Sequence, residues 1–294
     1  MQIGFLGLGI MGAPMAEHLV DAGHQIATVL HRQALSSPLI GRVQVFDAVA
    51  VLARQCDTII TMLPDTPEVE EVLMGANGVF HNIRPRSLVI DMSTISPIAT
   101  RRMGALFADA GCDFLDAPVS GGEIGAKSAS LTIMVGGTVA GFARALPVFS
   151  LLGKNITHVG EQNGAGQVCK LANQIIVGLN IAAVAEALVF ASKAGCDPSK
   201  VRQALLGGFA GSRVLEVHGE RMTKGTFNPG FRLRLHQKDL GLALDAARSF
   251  GGCLPGTAQG LQLLNSCVAH GEGEADHSAL VRAFERLCDH SIRA

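Results

Sequence analysis

A chain of 294 residues with a formal net charge of −1 and no long basic block offers neither an electrostatic track for nucleic acid nor a charged face for an anionic membrane. Hydrophobic residues make up 48% and charged residues 17%, which excludes a disordered chain and leaves ample material for a core. Tyrosine and tryptophan are both absent, so a dehydrogenase whose acid is the tyrosine of a YxxxK pair is excluded, and an aromatic platform for stacking single strands is not expected.

The predicted elements alternate over the first 160 residues. Apolar β-type runs stand at "QIGFLG", "QIATVL", "DTIITML", "RSLVIDMS", "CDFLDAP", "SLTIMVGG" and "ITHVG". Helical patterns lie between most of them: one over Ala13 to Ala22, one after Thr66–Pro67, one after Ser96–Pro97 and one after Thr138. Thr66 is expected to cap its helix, with Pro67 in the first position and Glu68, Glu70 and Glu71 favourable to the helix dipole. Such alternation predicts an α/β fold, a doubly wound, mainly parallel Rossmann-type sheet over residues 1–162.

The Gly-rich "GEQNGAGQ" ends the strand signals. Beyond it the patterns are helical at Gln167 to Ala194, Pro198 to Leu206, His236 to Phe250, Gly256 to Ala269 and His277 to His290. They predict an all-α second domain over residues 163–294, built on a linking helix at about 166–193 that spans roughly 40 Å. Nearly every face of that helix is apolar, so it is expected to be covered all round. Its Asn173, Gln174, Asn180 and Glu186 are costly in lipid, so it is read as buried in protein, with no membrane partner. A strand at the very start, with no basic region before it, speaks against a signal peptide. Seven cysteines without a CxxC pair suggest reduced thiols in a cytoplasmic protein, and no His/Cys group has zinc spacing, so no metal is expected.

Four motifs carry chemistry. Gly7, Gly9 and Gly12 form GxGxxG between a strand and a helix, with Ile10 and Met11 inside the turn. Glycines so placed permit the tight turn, the approach of backbone amides to a pyrophosphate, and close helix–strand packing, so a dinucleotide is the expected ligand. The end of the second strand holds His31–Arg32 rather than an acid for the ribose 2′-hydroxyl. Arg32 suits a 2′-phosphate, so NADPH is expected in preference to NADH, the alternative being a solvated arginine and use of both. Ser120, Gly121 and Gly122 follow a strand and would form either a plain turn or a cradle of N–H groups and one hydroxyl for a carboxylate. Lys238–Asp239 opens an amphipathic helix and by itself reads as a solvated helix start.

Lys170 is the fourth. It precedes 22 residues with one formal charge, Glu186. Its amine can snorkel to the surface, act as a general acid in a cleft, or form a Schiff base. Asn173 and Gln174, three and four residues on, share its helix face and favour a site over snorkelling.

Together "GFLGLGIMGAPMA", "DAPVSGG", "GAGQVCKLANQ" and "HQKDLGLAL", in that order and spanning the chain, resemble the β-hydroxyacid dehydrogenase family. "LPDTPEVEEVL", "KLANQIIV", "LEVHGERM" and "TFNPGFRLRLHQKDL" are most similar to its branch that reduces tartronate semialdehyde to D-glycerate. Gln174 stands where many members carry Asn, which also fits that branch. The resemblance implies Lys170 as acid/base, Ser120, Gly121 and Gly122 on the substrate carboxylate, and Asn173, with Gln174 beside it, on the substrate side. It implies Lys238 reaching the cofactor, and Leu63, Pro64 and Thr94 touching the nicotinamide half. It further implies a small carboxylated aldehyde as substrate and a homodimer or homotetramer. A 3-hydroxyisobutyrate dehydrogenase, another short semialdehyde or glyoxylate reductase, or a cofactor-sensing module without catalysis stay open as alternatives.

Overall fold

The structure is a computed structural model that describes residues 1–31 and 34–293. Its backbone divides into two compact units, Met1–Lys170 and Leu171–Ala294.

In the first unit the strands are β1 (Gln2–Leu6), β2 (Gln25–Val29), β3 (Val43–Phe46), β4 (Thr58–Thr61), β5 (Leu88–Asp91), β6 (Asp113–Asp116), β7 (Val119–Ser120), β8 (Leu131–Gly136) and β9 (Gly153–Gly160). They form one sheet in the order β3-β2-β1-β4-β5-β6-β8-β7, with β9 paired to β8. Pairing is parallel from β3 to β6 and between β8 and β9, and antiparallel where β8 meets β6 and β7. The helices are α1 (Gly12–Asp21), α2 (Val49–Gln55), α3 (Thr66–Met74), α4 (Pro97–Asp109), α5 (Gly122–Lys127) and α6 (Val139–Ser150).

Side-chain alternation explains the layering. Ile60, Leu88 and Ile90 face one core with Met15, Leu19 and Phe149, while Ile59 and Val89 face another with Leu52, Leu73 and Phe107. A sheet buried on both faces needs the near-continuous apolar runs seen in β4 and β5. The strand order reverses between β1 and β4, the position at which an open α/β sheet leaves a crevice at its carboxyl edge.

The helices expected after Ser96 and Thr138 are α4 and α6, and those two residues cap them, accepting from Ala99 N at 3.4 Å and Gly141 N at 3.0 Å. Thr66 does not cap α3. Asp65 takes that position, accepting from Thr66 N at 2.6 Å, because Asp65 is the residue in extended backbone. The Thr66 hydroxyl instead accepts from Ser96 N at 3.0 Å, tying the start of α3 to the start of α4.

Helix α7 (Ala165–Lys193) begins in the first unit and supplies the second with Ile181, Val184, Ala185, Leu188 and Val189 of its core. Around it stand α8 (Pro198–Leu206), α9 (Arg213–Lys224), α10 (Leu233–Ser249), α11 (Pro255–Ala269), a 3-10 turn (His277–Leu280) and α12 (Val281–Cys288). The expectation that α7 is covered on every face is not met within the single chain: Ile176 is 63% and Phe190 75% exposed. Among the described residues α7 is the one helix long and apolar enough to cross a membrane. Its Gln174 is nonetheless buried on a protein carboxylate, that of Asp239, at 2.5 Å.

Candidate active site

The glycine-rich turn is built by close approach. Gly7 has φ +107°, and a Cβ there would lie 2.3 Å from Met62 O; a Cβ on Gly12 would lie 1.9 Å from Gly7 O. Neither position admits a side chain, so the loop from β1 folds tightly over the end of β4 and straight into α1. A Cβ on Gly9 would meet nothing within 4 Å, so the space above the loop is open. Ile10 is exposed, and Met11, at the cap position of α1, makes no side-chain cap hydrogen bond. No acidic residue lies in the first turn of α1. Ala13 N already donates to Gly9 O at 2.9 Å and Pro14 has no N–H, so an anion here is met by the open glycine turn ahead of Ala13, and this fits the pyrophosphate of a dinucleotide.

At the same edge of the sheet, half-buried Leu63 donates its N–H to Ser93 Oγ at 2.9 Å. Pro64 is exposed and Thr94 is half-buried in the loop after β5. Asp91 orders this edge. Its Oδ1 accepts from Thr61 Oγ1 at 2.8 Å and Ser93 N at 3.1 Å, while its buried Oδ2 has no hydrogen-bond partner among the described residues. Complete burial pushes the Asp91 carboxyl up to about 6, against the pull of the Ser93 and Thr61 hydrogen bonds. Arg32 lies outside the described residues.

Ser120 ends β7, and Gly121 and Gly122 have φ +131° and +59°. Two successive residues in the left-handed half of conformational space require glycine and turn the chain at once into α5. Ser120 and Gly122 are half-buried and Gly121 is exposed.

Lys170 is 6% exposed and sits in the second turn of α7. The turn before it, the first of α7, is fastened to the sheet. Asp116, the last residue of β6, accepts from Gly164 N at 2.8 Å and from Gln167 N at 2.9 Å. The Gln167 side chain donates to Ser93 O at 2.8 Å and accepts from Ile95 N at 3.1 Å. One glutamine thus joins the start of α7 to the loop that carries Thr94. Burial raises the Asp116 carboxyl, and the amides of Gly164, Gln167 and Gly166 oppose that rise. Asp116 and Gln167 escaped the reading of the sequence. The signal for them was the Gly-rich "NGAGQ", which allows a helix start to crowd onto a strand end.

In the second unit Gln174 is buried and joins three groups. Asn173 Nδ2 donates to its Oε1 at 2.8 Å, its own Nε2 donates to Asp239 Oδ2 at 2.5 Å, and His236 lies 3.0 Å from its backbone oxygen. Lys238 pairs with Asp239 Oδ1 at 3.1 Å and is largely shielded, so the reading of Lys238–Asp239 as a solvated helix start does not hold. Asp239 was missed because the pair was read as solvent-facing, whereas Asp239 is 1% exposed. Asn173, Gln174 and Lys238 thus share one network within this unit, while Gly7 to Gly12, Leu63, Ser120 and Lys170 belong to the other.

Comparisons with known proteins identify the family. Residues 2–160 match the family model described as the NAD binding domain of 6-phosphogluconate dehydrogenase. Residues 164–284 match the NAD-binding model of NADP-dependent 3-hydroxyisobutyrate dehydrogenase. The chain is 56% identical over 293 residues to the 2-hydroxy-3-oxopropionate reductase of Escherichia coli (strain K12), covering 99% of this chain and 100% of that relative. It is 37% identical to the 2-(hydroxymethyl)glutarate dehydrogenase of Eubacterium barkeri, covering 99% of this chain and 97% of the relative. Among solved structures, the 3-hydroxyisobutyrate dehydrogenase of Mycobacterium tuberculosis with L-serine is similar at a TM-score of 0.88 and 34% identity, covering 96% of this chain and 98% of that one. With both family models matched in sequence along the chain, and full-length relatives well above 30% identity, the chain belongs to the β-hydroxyacid dehydrogenase family of NAD(P)-dependent oxidoreductases.

Proposed function

We propose that the protein reduces tartronate semialdehyde (2-hydroxy-3-oxopropanoate) to D-glycerate, using NADPH in preference to NADH. The observation that carries this reading is the 56% identity over essentially the whole chain to a 2-hydroxy-3-oxopropionate reductase. A bound reduced nicotinamide supplies the hydride that the aldehyde carbon receives. Lys170 donates a proton to the carbonyl oxygen as it becomes an alkoxide, and its positive charge stabilises that oxygen beforehand. What supports the assignment is an ammonium group held almost out of solvent, one turn beyond the helix start that Asp116 and Gln167 fasten. Ser120, Gly121 and Gly122 take the substrate carboxylate, since two positive-φ glycines leave N–H groups without side chains in the way. Asn173 and Gln174 orient the substrate hydroxyl, and Lys238 serves the cofactor.

The chain works in the cytoplasm as a homo-oligomer. Exposed Ile176 and Phe190 on α7 support a second subunit against that helix. We place the functional boundary between dinucleotide-binding and helical domains near residues 162–163, just ahead of α7.

The test is NADPH oxidation followed with tartronate semialdehyde, 3-hydroxyisobutyrate's semialdehyde, succinic semialdehyde and glyoxylate at matched concentrations. Tartronate semialdehyde should give the highest kcat/KM. A higher value for any other member of the panel removes the substrate assignment, and no oxidation with any of them leaves the cofactor-sensing alternative.

A further inference from the structure

Behind Gln174, wholly within the second unit, three imidazoles stand in a row. His236 of α10 and His277 of the 3-10 turn are buried, and His218 of α9 is at the outer end. His236 Nε2 lies 3.0 Å from Gln174 O. His236 Nδ1 lies 2.9 Å from His277 Nδ1, and His277 Nε2 lies 3.2 Å from His218 Nε2. His218 Nδ1 stands 3.5 Å from Asp276 Oδ1.

The ends of this row dictate its protons. A carbonyl oxygen only accepts, so His236 must carry its hydrogen on Nε2. Its Nδ1 then accepts, and His277 must donate from Nδ1. His277 Nε2 in turn accepts, and His218 must donate from Nε2. A neutral row therefore has one tautomer order, and it leaves the His218 Nδ1 lone pair facing a carboxylate.

The surroundings agree. Asp276 Oδ2 accepts from Gly230 N at 2.9 Å and Phe231 N at 3.2 Å, and pairs with Arg221 at 3.0 Å. Its Oδ1 accepts from Ser278 N at 3.1 Å and Ser278 Oγ at 2.6 Å. Burial pushes this carboxyl up, but the contacts with His218, His277 and Ser278 outweigh it and hold Asp276 ionised, well below the usual range. Burial first, and then the neighbouring imidazoles, hold His277 neutral. Charged groups beside the row include Asp276 and Arg221 at its outer end and, one turn on from His236, Asp239 with its partner Lys238 at the inner end. His218, Asp276 and His277 offer ligand atoms within 4.8 Å of one another, but Arg221 and four protein donors already occupy the carboxylate that a cation would need. The cluster is a hydrogen-bonded row rather than a metal site.

We propose that His236 is a positioning residue: with Asp239 it fixes Gln174 by backbone and by side chain, and the His277–His218–Asp276 row behind it locks the one tautomer in which it can donate. Gly178 leaves room for this, since a Cβ there would lie 3.0 Å from His236 Nε2. The role rests on reading Gln174 as a substrate-side residue; the tautomer order does not.

Imidazole 15N NMR of the ligand-free full chain between pH 5.5 and 8.5 tests the order. His236 should show hydrogen on Nε2 and His277 on Nδ1 throughout, with the His218 hydrogen on Nε2 facing His277. The opposite tautomer at either buried ring, or Zn2+ displacing their N–H signals, overturns the proposal. For the positioning role, His236→Ala should lower kcat/KM for the aldehyde about tenfold, the scale of one lost buried hydrogen bond. His236→Gln, whose Nε2 can still reach the carbonyl, should recover most of it. Equal losses in two folded variants, or none in His236→Ala, would make the role merely structural. Wild-type protein inactive on every aldehyde would defeat the reductase reading while leaving the NMR result standing.

Discussion

The carboxylate of Asp116, at the end of β6, accepts the backbone N–H of Gln167 at 2.9 Å and so serves as the anchor for the first turn of α7. Its other oxygen takes Gly164 N at 2.8 Å. A helix start buried against a sheet would otherwise leave orphan donors.

Asp116→Ala strands those two donors and should cost about 3 kcal/mol, measured by urea unfolding at pH 7. Because Lys170 lies three residues beyond Gln167, the folded fraction should also lose turnover. A stability loss under about 1 kcal/mol would show that the helix start is held by something else.

Much of this was legible beforehand, and the parts that were not have physical reasons. The β1–α1 turn, the helix starts after Ser96 and Thr138, and the long apolar helix each depend on residues adjacent in sequence. Asp65 and Thr66 are both good caps side by side, and only the backbone angles decide between them. β3 was overlooked because Gln44 and Val45 on this edge strand are exposed, so it has no continuous apolar run. α9 was overlooked because it is polar and contains Gly219, although Ser212 caps it, accepting from Leu215 N at 3.0 Å, and Gly225 ends it at φ +66°. The short β7 and α2 and α5 fall below the length at which periodicity speaks. The row of His218, His236 and His277 joins positions up to 59 residues apart and leaves no local pattern.

Asp91 gives the protein a pH signature. Its carboxyl rises from an ordinary 3.8 to about 6 because it is fully buried. The folded state thus holds this proton more tightly than the unfolded one. The resulting stability is fully present below pH 3.8 and fades as pH rises through about 6, a change of up to about 3 kcal/mol. Asp91→Asn keeps an acceptor for Thr61 and Ser93 and carries no charge. Its melting temperature relative to wild type should therefore increase from pH 4 to pH 7. A difference independent of pH would contradict the assignment.

Arg32 is proposed to meet the 2′-phosphate. Arg32→Ala should weaken NADPH binding about tenfold and NADH binding less than twofold, measured by quenching of nicotinamide fluorescence or by calorimetry. Equal weakening of the two would remove the preference for NADPH.

The proton donated by Lys170 is the step on which turnover depends. Stopped-flow oxidation of bound NADPH by tartronate semialdehyde, with NADPH affinity measured in parallel, reads that step directly. Lys170→Ala should slow the single turnover about a thousandfold while NADPH affinity stays within about twofold. A near-normal rate in the variant would contradict the assignment of Lys170 as the acid.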